Sequence, residues 1–392
     1  MFKEFLDLGR HPIANAFLKE EDFDDEFFFN LKVCWDEESK LVSIKDFVDP
    51  KRIFNEDYPY NTSNSFPMVE HFKNTAEMLK GRFNPKSILE IGSNDGAFIS
   101  NFDKEISVCI EPCDNFAKIT SDMGYRSYNT FWDTEVSNNI KDVHGSMDLI
   151  YAANCICHIH DLDDTFKAVK NLLSDDGIFV FEDPSLLRIL ERCSYDQIYD
   201  EHPHIFSVTA LNNILSRNGL KLFKVDNLSV HGGSNRIYAT KENVVDVDKS
   251  VLNNLMEESI FGIEYFQTYE IFADRVVKSK LDLVSKLKSL RAEGNRIMSM
   301  GATAKSTTVF NYCGVGPDLI DIITDTTKDK QGKFSPGVHI PILSREDVNI
   351  LDYDYVYLGA WNFKDVIASK EREFVKNGGK FITHVPQVMV FS

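Results

Sequence analysis

In the stretch Ser87-Ile88-Leu89-Glu90-Ile91-Gly92-Ser93-Asn94-Asp95-Gly96, a short apolar run ends in an acid and two glycines follow, four residues apart, with small polar residues between them. This pattern predicts a strand, a tight glycine turn and a helix beginning near Ala97, because glycine lets the backbone turn sharply and approach a ligand closely. Nineteen residues beyond Gly92 a second apolar run, Val108-Cys109-Ile110-Glu111, again ends in an acid. That is the layout of a nucleoside-binding α/β domain, with the first loop under the ligand and the second acid set to bond ribose hydroxyls.

The loop reads Glu-x-Gly-x-x-x-Gly, so the third glycine of a dinucleotide fold, with its helix N-terminus aimed at pyrophosphate, is missing. The missing glycine disfavours an NAD-dependent enzyme. S-adenosylmethionine carries no phosphate and suits the looser loop. Glu90, Gly92, Ser93, Asn94, Gly96 and Glu111 are the residues expected around it.

Outward from this stretch, strands are expected at 87–91, 106–111, 147–152, 177–182, 221–225 and 234–240, with a helix over 165–173. Alternating strands and helices predict a doubly wound, mostly parallel sheet whose ligands sit beyond the carboxyl ends of the strands. After Tyr151 comes Ala152-Ala153-Asn154-Cys155-Ile156-Cys157-His158-Ile159-His160. Zinc sites usually space paired ligands by two or more residues, so Asn154 and His158 read as site residues at a strand end, and the two cysteines as small apolar filler. Farther on, Tyr199-Asp200-Glu201-His202 brings a tyrosine, carboxylates and a histidine together. A carboxylate beside a histidine can hold one tautomer and raise its basicity toward that of a general base near neutral pH. A tyrosine can donate to a developing oxyanion. In His231-Gly232-Gly233-Ser234-Asn235-Arg236, the glycine pair at a strand start permits close backbone approach to a ligand, and Arg236 can pair with a carboxylate or a phosphate.

Residues 1 to about 70 form a first unit. Leu8 to Pro12 reads as a turn, Glu20 to Glu26 as a solvated acidic face, and 27–33 with 40–44 as a strand pair. Residues 58–65 form an aromatic and polar loop. Residues 247–293 read as long helix, with Phe272, Val276, Val277, Leu281, Val284 and Leu287 at core spacing. From 296 a second alternating unit begins. Its Gly301-Ala302-Thr303-Ala304-Lys305 resembles a phosphate cradle without being a P-loop, and its basic loop residues Lys330 and Lys333 suit a diphosphate-bearing ligand.

Composition bounds these readings. The 392 residues suffice for two or three domains. A net charge of -18 argues against a general nucleic-acid or anionic-membrane surface. No run approaches a membrane span, and acids interrupt the apolar residues of Met1-Phe2-Lys3-Glu4-Phe5 at once, unlike a signal peptide. Seven scattered cysteines point to reduced thiols in a cytoplasm.

These motifs, with Pro12-Ile13-Ala14-Asn15, Tyr58-Pro59-Tyr60, Ile110-Glu111-Pro112, Lys330-Gln331-Gly332-Lys333, Pro336-Gly337 and Ala360-Trp361-Asn362, run in order along nearly the whole chain. Together they resemble the sugar C-methyltransferases, which methylate 4-keto-6-deoxy sugars carried on a nucleotide diphosphate. The resemblance implies a small N-terminal α+β domain (1–68), a central Rossmann-like class I methyltransferase domain (69–245), connecting helices (246–294) and a C-terminal Rossmann-like domain (295–392) that helps hold the sugar nucleotide. It implies S-adenosylmethionine as cofactor and proton removal beside a keto group, giving an enolate that attacks the sulfonium methyl. His202 becomes the base, with Tyr199, Glu201, His158 and Tyr60 at the site. Asn154 joins the cofactor residues, and His231, Gly232, Gly233, Ser234, Arg236, Ala304, Lys305, Lys330, Lys333 and Asn362 the substrate residues. Members usually hold a structural zinc through N-terminal cysteine pairs. Here Cys34 stands alone in that region, so no zinc is expected. After His202 the family favours aromatic residues, whereas this chain has Pro203-His204-Ile205, which is expected to alter the pocket beside the base. O- or N-methylation of a sugar nucleotide remains an alternative, as does a non-catalytic sugar-nucleotide binder. The chain is expected to be a monomer or homodimer.

Overall fold

The computed structural model describes residues 1–241 and 245–392. Its strands are, in chain order, β1 (Phe2–Pro12), β2 (Phe28–Asp36), β3 (Val42–Ile44), β4 (Ile88–Ile91), β5 (Ser107–Ile110), β6 (Arg126–Tyr128), β7 (Met147–Ala153), β8 (Leu173–Pro184), β9 (His204–Ile205), β10 (Leu220–Leu228), β11 (Ser234–Lys241), β12 (Ile297–Met300), β13 (Ile323–Asp325), β14 (Ile342–Ser344), β15 (Tyr355–Leu358), β16 (Lys380–Thr383) and β17 (Met389–Phe391). They form three sheets, in the orders β1-β2-β3-β9, β10-β11-β8-β7-β4-β5-β6 and β14-β13-β12-β15-β16-β17.

The central sheet is the α/β sheet expected from the glycine stretch. β4, β5 and β12 are buried along their whole length, as strands covered on both faces must be. β4 lies between β5 and β7, parallel to both, so the loops after Ile91, Ile110 and Ala153 emerge side by side at one edge. The helix expected near Ala97 is absent. The chain makes only a 3₁₀ turn, Ile99–Asn101, before β5. Glu90 accepts the Ile99 N–H there at 3.1 Å and holds that turn in place of helical bonding.

Four further expectations change. Leu8 to Pro12 is not a turn but the end of β1, whose register shifts near Gly9 absorb the glycine. The long helix is two, Lys249–Phe261 and Phe266–Ala292, separated by Gly262 in the left-handed region. Of its expected core positions, Phe272, Val276 and Leu287 are buried, whereas Val277 and Leu281 are 47% and 63% exposed. The buried face continues instead through Tyr269, Leu283 and Leu290. The N-terminal sheet also borrows β9 from beyond His202, with Val42 paired to Ile205 and Ser43 to His204.

The helix Phe266–Ala292 packs against both outer sheets within a single apolar cluster. That cluster holds Leu31, Val33 and Trp35 of β2 as well as Val309, Phe310, Ile323 and Tyr357 of the C-terminal unit. Truncating a fully buried leucine loses transfer energy and leaves a cavity. Leu287→Ala is therefore expected to lower stability by about 2–5 kcal/mol in urea denaturation. The exposed control Leu281→Ala should stay within about 0.5 kcal/mol. Equal effects would mean that this face of the helix does not join the sheets.

Candidate functional site

One cavity of about 980 Å³ runs between the three sheets. Its first part lies over β4 and β5. Gly92 has φ +71°, and a Cβ there would stand 2.7 Å from the Cys155 Sγ, so the turn admits only glycine. Glu111, just past β5, accepts the N–H of Asn94 at 2.7 Å and of Cys113 at 2.9 Å. Burial raises its pKa, and these two amides oppose the rise. The 58–65 loop is laced to the same turn. Thr62 N–H donates to Asn94 Oδ1 at 3.0 Å, Ser63 N–H to Asp95 Oδ2 at 2.8 Å, and Asn94 Nδ2 to the Tyr60 carbonyl at 3.0 Å. Ser93 Oγ and Asn61 Oδ1, both on residues lining the cavity, are buried without a partner. Ile110, Phe131 and Trp132 add an apolar wall. A carboxylate with room to accept hydroxyls, orphaned polar atoms and an apolar slot fit S-adenosylmethionine. Glu90, Gly92, Ser93, Asn94, Glu111 and Asn154 all reach this wall, but Gly96 does not.

The middle of the cavity is built on the 195–202 loop. His202 Nδ1 lies 2.8 Å from the Gln197 carbonyl and Nε2 lies 2.9 Å from the Tyr199 hydroxyl. A carbonyl only accepts, so Nδ1 carries the proton, and in the neutral ring Nε2 accepts from Tyr199. Burial pushes the His202 pKa down to about 4, so the ring is neutral at physiological pH. The expected carboxylate–histidine pair does not form. Glu201 is bound instead by Asn15 Nδ2 at 2.5 Å and by the Tyr58 hydroxyl at 2.8 Å. Its pKa is raised by burial, against those two bonds. The backbone carbonyl of Gln197 sets the tautomer that the carboxylate was expected to set. His158 stacks on His202 with ring centroids 5.2 Å apart, and its buried Nε2 has no partner. Tyr60, Tyr199, Glu201, His202 and His158 all line the cavity.

The far part lies over β12, β13 and β15. Ala304, Lys305, Lys330, Asn362 and His231 line it. Lys330 Nζ donates to the Ala302 carbonyl at 2.7 Å, and Lys305 Nζ reaches the His231 carbonyl at 3.5 Å. Burial lowers the pKa of both lysines, opposed by Asp196 for Lys305 and by Asp325 and Glu201 for Lys330.

Several expected substrate residues do not reach the cavity. Arg236 is spent on a buried pair with Glu182 at 2.7 Å and on Thr75. The Gly232-Gly233 pair serves packing rather than ligand approach. A Cβ would stand 2.5 Å from the Trp361 ring at the first and 2.9 Å from Arg188 at the second. Ser234 Oγ donates to the Val230 carbonyl at 3.2 Å. Lys333 also lies outside the cavity wall. The Pro203-His204-Ile205 run lies outside the cavity wall, though His204 Nε2 meets the carbonyl of the lining residue His160 at 3.1 Å. It leaves for the N-terminal sheet, where His204 Nδ1 meets Ser43 Oγ at 2.8 Å. Gln197 was not foreseen. Its side chain is 1% exposed, lines the cavity and has neither amide atom bonded. No spacing in the chain marks it, since its place depends on the fold of the loop.

Among the described residues, Cys157, His158 and His202 offer donor atoms within 4.8 Å of one another. Both ring nitrogens of His202 are already engaged, and burial keeps the Cys157 thiol protonated, so the group does not fit a metal as it stands.

Three family models match in order: "Putative zinc binding domain" over residues 1–54, "Methyltransferase domain" over 67–225, and "C-methyltransferase C-terminal domain" over 229–386. The residues of the first segment do not fit zinc. Cys34 is its single cysteine and is buried with a raised pKa, and His11 Nε2 meets the Thr308 carbonyl at 3.2 Å. The chain is 31% identical over 401 residues to the C-methyltransferase NovU of Streptomyces niveus, covering 99% of this chain and 94% of that one. A solved S-adenosylmethionine-dependent methyltransferase of Thermotoga maritima, described as a possible histamine N-methyltransferase, aligns at 20% identity and a TM-score of 0.35, over 45% of this chain and 92% of its own. A likeness that remote carries no inference. The near full-length match to NovU, and the two methyltransferase models that fall on the central and C-terminal sheets, identify this chain as a member of the C-methyltransferase family, an S-adenosylmethionine-dependent enzyme.

Proposed function

We propose that the chain methylates a carbon of a nucleotide-diphosphate-linked keto-deoxysugar through an enolate. One observation carries this reading: the neutral His202 with its locked tautomer and the Tyr199 hydroxyl on its unprotonated nitrogen, standing between the part of one cavity lined by Glu90 and Glu111 and the part lined by Lys305 and Lys330. S-adenosylmethionine supplies the electrophilic methyl. Lys305 and Lys330 fit the diphosphate, and the carboxylate-lined part fits the donor.

The chain's own residues would then act as follows. The keto group acidifies the neighbouring C–H. His202 takes that proton on Nε2, either directly as Tyr199 swings toward the new oxyanion, or through Tyr199, whose own proton passes to Nε2 as it receives the one from carbon. A base with a pKa of about 4 is weak in the empty site. The enolate charge that develops beside the ring favours the imidazolium and raises that basicity when it is needed. His158, neutral and unbonded at Nε2, adds no positive charge that would oppose the transfer.

The test is mass spectrometry of nucleotide-linked 4-keto-6-deoxy sugars incubated with the enzyme and donor in deuterated water. One added methyl, with donor-independent deuterium uptake at the carbon beside the ketone, is the expected result. Methyl gain only on reduced or aminated sugars, without exchange, would replace carbon by oxygen or nitrogen as the acceptor. His202→Asn should abolish both exchange and methyl gain while donor binding persists, and near-normal turnover would remove His202 from the base role.

The active ring is the unprotonated one, so activity falls as pH drops through its pKa. With that pKa near 4, kcat/KM should stay level down to about pH 5. An acid limb near pH 6.5 would show an unperturbed histidine instead. Glu111→Ala should weaken donor binding in calorimetry by about 1.5–3 kcal/mol through lost charge-assisted bonds. Unchanged affinity would put the ribose elsewhere.

A further inference from the structure

Counted from β12, the C-terminal sheet has the strand order 3-2-1-4-5-6, which reverses between β12 and β15. In such sheets the ligand lies outside the strand ends at that reversal. Gly301 and Gly359 stand there, so close that a Cβ on Gly359 would be 2.5 Å from the Gly301 carbonyl.

Two carboxylates of the molecule are held in one and the same way. In the central sheet Glu111 follows β5, the strand beside β4, and accepts the N–H of Asn94 in the loop after β4 and of Cys113 two residues on, at 2.7 and 2.9 Å. In the C-terminal sheet Asp325 ends β13, the strand beside β12. It accepts the N–H of Ala302 in the loop after β12 and of Thr327 two residues on, both at 2.8 Å. A carboxylate has about four acceptor positions, so two remain on each. Both acids line the same cavity. Among lysines suited to phosphate, a carboxylate repels the anion itself and calls for neutral donors such as hydroxyls.

We infer that Asp325 is a second ribose-binding carboxylate, accepting hydrogen bonds from the sugar hydroxyls of the acceptor's nucleoside as Glu111 does for the methyl donor. This rests on the reading that the acceptor is a nucleotide sugar. The nucleoside then lies over β13, with its diphosphate toward Lys305 and Lys330 and the transferred-to sugar toward Tyr199 and His202.

Calorimetry on the full chain tests it with thymidine and uridine diphosphates, each against its 3′-deoxy counterpart, and with S-adenosylhomocysteine as a measure of the central site. Loss of the 3′-hydroxyl should weaken binding to the wild-type chain about tenfold or more. In Asp325→Asn the two forms should bind alike, with S-adenosylhomocysteine affinity unchanged. Wild-type indifference to the 3′-hydroxyl overturns the inference without appeal to any variant. So does discrimination that survives in Asp325→Asn, and in neither case does the nucleotide-sugar reading fall. If neither diphosphate binds while S-adenosylhomocysteine does, that reading falls together with the inference.

Discussion

Buried carboxylates need partners, and the loop from Tyr195 to His202 carries three of them. Removing an ionised or even a neutral carboxyl from water without hydrogen bonds costs several kcal/mol by order of magnitude. This chain supplies partners from outside the loop, although one oxygen each of Asp196 and Asp200 stays buried and unbonded. Asp196 takes the indole N–H of Trp361 from the C-terminal unit at 2.5 Å. Asp200 takes the Ala14 N–H from the N-terminal unit at 2.8 Å. Glu201 takes Asn15 and Tyr58. The same loop offers the Gln197 carbonyl to His202. The loop that holds His202 and the cavity around it therefore depend on the docking of all three sheets, and the long helix Phe266–Ala292, packed against both outer units, supports that docking.

The docking gives the cavity two chemically different ends. A protein with 61 acids and 43 Lys or Arg carries a net charge of -18, yet it keeps Lys305 and Lys330, with Asp325 beside them, at one end of the cavity and the acids Glu90, Asp95 and Glu111 about the other, Glu90 with its pKa pushed well up by burial. Between them stand His202 and His158, held neutral by burial, and His231 beside Lys305 is likewise pushed down to about 3 by burial and by that lysine. Neutral imidazoles in a buried site leave the local field to fixed dipoles and hydrogen-bond donors, which act most strongly away from water.

What local pattern encodes was readable from the chain alone. Apolar runs ending in acids marked β4 and β5, and glycines in the left-handed region marked the turns after β4 and β12, because strand burial and positive φ constrain residue type position by position. The family resemblance, carried by motifs in order, also held. Of the residues expected around the donor, all but Gly96 line the cavity, as do His202, Tyr199, Lys305 and Lys330.

Only the tertiary structure decided which partner each polar group takes. Arg236 looked like a ligand contact and is a buried counter-ion of Glu182, because the facing residue of a neighbouring strand has no signature in the arginine's own sequence. Glu201 stands next to His202 in the chain, but its side chain turns to Asn15 and Tyr58, and a carbonyl five residues before the histidine takes its place. Gln197, with an unbonded buried amide in the cavity, and the two-residue β9, paired across to β3, left no trace in spacing or hydropathy. Periodicity and turn chemistry act within a few residues and can be read there. Hydrogen-bond partners and burial are settled by segments far apart in sequence, and they exist only once the sheets have closed on one another.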